Sequence, residues 1–170
     1  MTARPDTGWL EEFMAHDYLP LVAAMALVCH DRGYAEDAVQ EAACRAVLAV
    51  DRGRSLETPA AWIRVVALNL TRNRLRSTLR ERRAVARLGS GSGSGDDSAS
   101  WPSVDRSLDL QQAVATLPRR EREAVALFYR LDLPIVEVAA SMGVTEGTVK
   151  TLLHRARQSL ATALGTGSEG

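Results

Sequence analysis

An all-α fold, with two small helical domains joined by a flexible linker, is predicted by three observations. Apolar residues recur at spacings of three and four in both halves of the 170-residue chain, and no run ahead of the linker alternates as a strand would. Residues 89–100 read GSGSGSGDDSAS, a composition that cannot bury a core and behaves as a coil. Charge is also segregated along the sequence, as expected of separate helices with separate surfaces. Residues 1–61 hold 5 basic and 10 acidic side chains, 62–87 hold 8 and 1, 88–116 hold 1 and 4, and 117–164 hold 7 and 5. A balanced total of 21 and 21 therefore conceals a strongly cationic helix between acidic neighbours.

Taken in order, residues 9–29 read as one or two helices, with Pro20 either opening a new segment or kinking a continuous one. Residues 31–34 read as a turn and 35–50 as the next helix, whose apolar stripe is Val39, Ala43, Ala46, Val47 and Val50. Its reverse side carries Asp37, Glu41, Cys44 and Leu48, a mixture of acid and apolar groups that suits either plain solvation or docking onto another protein. Residues 51–58, DRGRSLET, form a loop in which Thr58 can cap the following helix and Pro59 takes its first position. That helix begins AAWIRVVALNL, apolar nearly all round and so buried on several sides. It then changes character, with Asn69, Arg72, Asn73, Arg76, Arg80 and Arg83 along one side and seven arginines against one glutamate between 72 and 87. Releasing condensed counterions from a nucleic acid rewards such a stripe, which points to phosphate contact over simple solvation.

The 16 residues 89–104 form the predicted linker, a repeat regular enough to suit an engineered as well as a native tether. A coil of that length spans about 20 to 24 Å on average and about 55 Å when extended, so two domains could touch DNA more than one duplex turn apart. The predicted domains are thus 1–88 and 105–165, with a disordered tail at 166–170.

The second domain reads as a helix-turn-helix. A short helix at 136–142 ends at Gly143, whose freedom at positive φ suits a sharp stop, and Thr145 can cap the next helix. From there Val149, Leu152, Leu153, Ala156, Leu160 and Leu164 form an inward stripe. Gly147, Thr151, His154 and Gln158, flanked by Lys150 and Arg155, form a polar outer face able to reach base edges or phosphates. Singly, each has a plainer reading: His154 as a surface histidine, and Arg155 and Arg157 as complements of the helix dipole. The order of small-residue helix, glycine turn, capped second helix and polar face favours DNA binding.

Other function classes find little support. No apolar run approaches the roughly 18 residues of a membrane span, and the N-terminus lacks a secretory signal pattern, so a cytoplasmic protein without membrane insertion is expected. Cys29 and Cys44 are too few for a disulfide framework or a zinc site, so no metal and no cofactor are expected. His16, His30 and His154 lie in separate segments, Asp37 and Glu41 have ordinary helical spacing, and no phosphate-cradling glycine loop precedes a helix; an enzyme is not expected.

Together the segments resemble the extracytoplasmic-function group of bacterial sigma factors, which direct RNA polymerase to promoters. Ala35-Glu36-Asp37-Ala38-Val39-Gln40-Glu41 is similar to the AED-x-x-QE signature of sigma region 2, and Pro59-Ala60-Ala61-Trp62-Ile63 with Asn69 and Arg76 to its P-x-AWL…N…LR helix. Leu117-Pro118-Arg119-Arg120-Glu121-Arg122 resembles the opening of region 4, and Gly147-Thr148-Val149-Lys150 with Arg155-Ala156-Arg157 and Leu160 its recognition helix. The likeness implies that the first domain docks on the clamp helices of the polymerase beta-prime subunit, with Asp37, Gln40, Glu41 and Leu48 as the candidate contacts. It implies minus-ten recognition by the same domain. There the 51–58 loop, with Arg52, Arg54 and Ser55, would capture a base flipped from its stack, beside Trp62, Asn69, Arg72, Asn73, Arg76 and Arg80.

The second domain would read the minus-thirty-five element through Thr145, Glu146, Gly147, Thr148, Lys150, Thr151, His154, Arg155 and Gln158, and rest on the flap of the beta subunit. Arg119, Arg120 and Arg122 would assist with phosphates or simply mark an exposed helix start. Asp96, Asp97 and Asp105 in or beside the linker could imitate phosphates weakly or be plain spacer. An anti-sigma factor is a further partner that the family admits. Three departures stand out: Ala42, Ala43 and Cys44 are smaller than usual after QE, no tryptophan closes that helix near Val50, and Thr151-Leu152 stands where Ser-Arg is common. The competing class is a self-contained helix-turn-helix regulator, which leaves the AED-x-x-QE and arginine helices without a purpose.

Overall fold

The computed structural model describes residues 8–87 and 105–165, so the linker at 89–104 and the tail at 166–170 lie outside the described residues. All regular structure in the described residues is helical. Helix α1 (Gly8–Glu12) runs into a wide π-helical turn (Phe13–Asp17) and then α2 (Tyr18–Cys29). The wide turn lies just ahead of Pro20, which has no N–H to give to a helical bond.

Helix α2 ends at His30, held at φ 59°, and Asp31 caps α3 (Arg32–Asp51) by accepting a bond from the Tyr34 amide at 2.8 Å. The turn expected at 31–34 is therefore a helix start. A capping aspartate satisfies the first-turn donors and outweighs Gly33. A loop that turns through Gly53 at φ 84° leads to α4 (Pro59–Arg87), which opens on the proline as its sequence requires.

Helix α5 (Asp105–Thr116) precedes α6 (Arg119–Val125), which widens into a second π-helical segment (Ala126–Arg130). The helix-turn-helix follows. Helix α7 (Ile135–Met142) stops at Gly143 with φ 67°, and Thr145 caps α8 (Glu146–Ala163) through the Thr148 amide. Val149, Leu153 and Ala156 are buried, Leu152 and Leu160 are half-buried, and Leu164 is exposed because the helix has ended before it. On α3 the core takes Ala35, Ala38, Val39, Ala42, Ala43 and Ala46, while Val47 and Val50 are only half-buried. A face of alanines lets α2 and α4 approach closely, which accounts for the small residues after Gln40-Glu41.

The halves do not stand apart as two independent heads. Their buried apolar residues form one contiguous cluster that runs from Phe13 and Leu21 to Leu127 and Leu153, and α2 touches α6 and the segment after it while α4 touches α7. The reason lies in α2, where Leu21, Val22, Ala23, Ala24, Met25, Ala26 and Val28 are all buried. A helix with no polar face needs cover on every side; α3 and α4 supply part, and the second half supplies the rest. The stretch Gly8–Cys29, at 22 residues, is long and apolar enough to cross a membrane by length and composition, contrary to the expectation from the sequence. Here that apolar character serves as the central core helix.

Candidate nucleic-acid and protein interfaces

Three surfaces carry the residues singled out in the sequence. On α3, Asp37, Gln40, Glu41, Cys44 and Leu48 are all exposed, and Leu48 leaves half of its surface open. The burial of Val39, Ala43 and Ala46 on the other side forces this arrangement, so the acidic and apolar groups share one open face. Gln40 donates to the Tyr18 hydroxyl at 3.0 Å, and Glu41 accepts from Arg45 at 2.8 Å in an exposed pair. Both contacts are compatible with a partner, because surface ion pairs are weak.

On the loop and α4, Arg52, Arg54 and Ser55 are exposed and Trp62 is half-buried, with the Arg54 guanidinium 5.9 Å from the Trp62 ring centre. An aromatic face with a cation above it is a ready stacking platform for a base. Further along α4, Asn69, Asn73, Arg76 and Arg80 are exposed. Arg72 is not: its side chain is 12% exposed and forks onto Glu123 of α6, Nη2 to Oε2 at 2.8 Å and Nε to Oε1 at 3.1 Å. Its Nη1 also donates to the Asn69 side-chain oxygen at 3.3 Å. The expectation of an open stripe thus fails at Arg72, because a buried carboxylate from the other half needs a cation.

On α8, Thr145, Glu146, Gly147, Thr148, Lys150, Thr151, His154, Arg155 and Gln158 are all exposed on the side opposite the buried stripe. Three hydroxyls are partly engaged locally: Thr151 donates to the Gly147 carbonyl at 3.0 Å, and those of Thr145 and Thr148 lie 2.9 Å apart. Lys150, His154, Arg155 and Gln158 project as the long polar groups of the face.

Of the arginines that open α6, Arg120 is exposed and Arg119 half-buried, and only Arg122 departs from the reading as a phosphate contact or an exposed helix start. Arg119 and Arg120 lean on Glu123 at 3.6 and 3.5 Å, and Arg122 is buried. Arg122 Nη1 donates to His30 Nε2 at 2.6 Å and to the Ala115 carbonyl at 3.0 Å. Since a guanidinium only donates, His30 must be neutral, with its proton on Nδ1. Burial and the adjacent Arg122 charge both hold His30 below its ordinary value of 6.5. Burial also pushes the Cys29 thiol up to about 11, and it donates to the Asp31 carbonyl. That thiol is an unreactive packing group.

A pH dependence follows. Above the ordinary histidine value both the folded and unfolded chains hold His30 neutral, and its stabilisation is complete. As pH falls through that value, the unfolded chain takes a proton that the folded chain resists, so stability declines with acid. Urea midpoints near pH 7.5 and 5.5 are expected to show this loss in the wild type. His30→Asn tolerates the left-handed backbone, can accept from Arg122, and should shrink the difference between the two midpoints.

Residues not legible as interface groups are Arg64, which donates to Ser141 and Glu137 at 3.0 Å each, and Tyr34, whose ring lies 5.4 Å from the Arg74 guanidinium. The arginine inside the apolar half of α4 is the signal for the first; an exposed cation has no reason to sit there.

Comparison with known proteins agrees with this geometry. Residues 14–81 match the family model "Sigma-70 region 2" and residues 107–160 match "Sigma-70, region 4". The chain is 33% identical over 134 residues to the ECF RNA polymerase sigma factor SigF of Caulobacter vibrioides, covering 76% of this chain and 70% of that one. It is 34% identical over 139 residues to SigL of Mycobacterium tuberculosis, covering 79% and 76%. Among solved structures it resembles the sigma factor RpoE of Bartonella quintana, seen in complex with the anti-sigma factor NepR. That likeness has a TM-score of 0.73 and 24% identity, covering 95% of this chain and 99% of that one. It also resembles CnrH, in complex with the cytosolic domain of CnrY, with a TM-score of 0.62 and 21% identity over 94% and 89%. With regions 2 and 4 in order on one helical chain, and relatives one-third identical along most of its length, the chain belongs to the ECF family of RNA polymerase sigma factors, the promoter-specificity factors of transcription initiation.

Proposed function

We propose that the region 2 half docks on the beta-prime clamp helices of core polymerase through the open α3 face of Asp37, Gln40, Glu41 and Leu48. The same half takes the minus-ten element with its loop and arginine helix: Arg52, Arg54 and Ser55 with Trp62 receive an unstacked base, and Asn69, Asn73, Arg76 and Arg80 hold the backbone nearby. Arg72 joins them once released from Glu123. The region 4 half presents α8 to the major groove of the minus-thirty-five element and rests on the beta flap. The factor acts by binding, with no covalent chemistry of its own, in the cytoplasm where polymerase works. An anti-sigma factor completes the set of partners, in line with the complexes formed by RpoE and CnrH.

The observation that carries this reading is the α8 face. Nine polar or small residues stand open on a helix whose opposite side is locked into the core, behind a glycine stop and a threonine cap. Lys150→Ala or Arg155→Ala is expected to weaken minus-thirty-five binding by the holoenzyme by about 1–3 kcal/mol where the side chain reads a base. The loss should be uniform across sequences where it touches phosphate. Filter or mobility-shift binding to matched and scrambled promoters separates the two, and unchanged affinity for both removes that residue from the interface.

A further inference from the structure

Within the open α3 face, Gln40 is tied to a different helix. Its Nε2 donates to the Tyr18 hydroxyl at 3.0 Å, across 22 residues of sequence, whereas Glu41 is held by Arg45 of its own helix. Asp37, Gln40 and Glu41 stand at spacings of three and four, so they share one side of α3. Gln40 is exposed, and a long polar side chain in that position must give up rotamer freedom when a partner binds. The bond to Tyr18 removes part of that freedom beforehand. It also leaves the Gln40 side-chain oxygen, which accepts no hydrogen bond among the described residues, for a donor on the partner.

Tyr18 is fixed in its turn. It is the first residue of α2, half-buried against the apolar core, and its ring meets that of Phe13 edge to face at 6.4 Å and 83°. Its backbone N–H also bonds the Phe13 carbonyl, closing the wide π-helical turn, and Phe13 is buried. A π-helical turn takes up more chain than an α-helical one and so redirects the side chains that follow it. Here it seats the Tyr18 ring on Phe13 while the hydroxyl reaches α3. Tyrosine suits that task, since it combines an apolar body to bury, a polar tip and little rotamer freedom.

We infer that Tyr18 is a positioning residue for polymerase docking: anchored on Phe13, it holds the Gln40 amide in the orientation that core polymerase meets beside the carboxylates of Asp37 and Glu41. Tyr18 acts through Gln40 and needs no contact of its own with polymerase. The wide turn ahead of α2 then does more than accommodate Pro20, because it seats the ring that steadies the docking face. The inference rests on the reading of α3 as the polymerase face.

The test is a double-mutant cycle on the full chain, read by surface plasmon resonance against immobilised core polymerase. Tyr18→Phe keeps the ring and removes the hydroxyl, and should weaken binding about three- to tenfold, the range of one hydrogen bond. Gln40→Ala should weaken it at least as much. With Gln40→Ala already in place, adding Tyr18→Phe should change nothing further. A second readout needs no polymerase: NMR relaxation of the Gln40 side-chain amide should show greater mobility in Tyr18→Phe, at a urea midpoint close to that of the wild type.

If Tyr18→Phe binds core as tightly as the wild type while Gln40→Ala does not, the positioning role is overturned and the polymerase face stands. Losses that add in the double variant overturn it too, since Tyr18 would then act independently of Gln40, and so does an equally rigid Gln40 amide in Tyr18→Phe. Wild-type binding by Gln40→Ala removes Gln40 from the polymerase face, and the positioning role with it. The face as a whole is read separately, through Asp37 and Glu41.

Discussion

Replacing Asp37 and Glu41 together by alanine is expected to weaken binding to core polymerase by about 30-fold or more, the scale of losing a charged hot spot worth about 2 kcal/mol. The fold should survive. Both side chains are exposed, and the ion pair at stake among the described residues, that of Glu41 with Arg45 at 2.8 Å, joins side chains that are 53% and 50% exposed. Such a pair contributes about 0–1 kcal/mol. Surface plasmon resonance against immobilised core, with circular dichroism as the control for folding, checks both halves of the statement. Wild-type affinity in the double variant would move the polymerase contact away from α3.

Leu153→Ala is expected to act in the opposite way, through the fold. Leu153 is 1% exposed between Val149 and Ala156, where α8 meets α6 and α7. Truncating it removes buried methyl groups and leaves a cavity, at a cost of about 2–5 kcal/mol. For a chain of ordinary stability that is a large fraction of the total. Urea unfolding should show the loss, and minus-thirty-five recognition should fall with it, although the polar face of α8 is untouched. Retention of full stability would mean that the stripe is not the support of the reading face.

The helices and their faces were largely legible because periodicity is a local property. Val39, Ala43 and Ala46 on α3, and Val149, Leu153 and Ala156 on α8, declare their inward sides at spacings of three and four, and Gly143 and Thr145 mark a boundary with two adjacent residue types. Where local signals competed, the reading slipped. Residues 31–34 read as a turn, but the Asp31 cap starts α3 at Arg32, inside that stretch. Helix α5 lies where the sequence reading places no element between the linker and Leu117, although Leu110, Ala113, Val114 and Leu117 recur at helical spacing and the last three are buried.

What the sequence could not disclose was the pairing of charges across the chain. Glu123 stands four residues after Arg119 with nothing local to mark it as buried, yet its carboxylate takes the fork of Arg72 on α4, 51 residues away. Arg122 likewise reads as an exposed helix start, yet it meets His30 from 92 residues away. The all-round apolar character of α2 was the one local hint that a second layer must close over it. It was visible at Leu21 to Val28 and was read as helix alone.

The most direct test of the account is transcription from purified components. Core polymerase, the full chain and fragmented genomic DNA are combined, and transcript 5′ ends are mapped with and without the chain. A restricted set of new start sites is expected only with the chain, each preceded by the same pair of elements at a fixed separation. Start sites of core polymerase left unchanged, with the chain binding duplex DNA by itself, would contradict a promoter-specificity role.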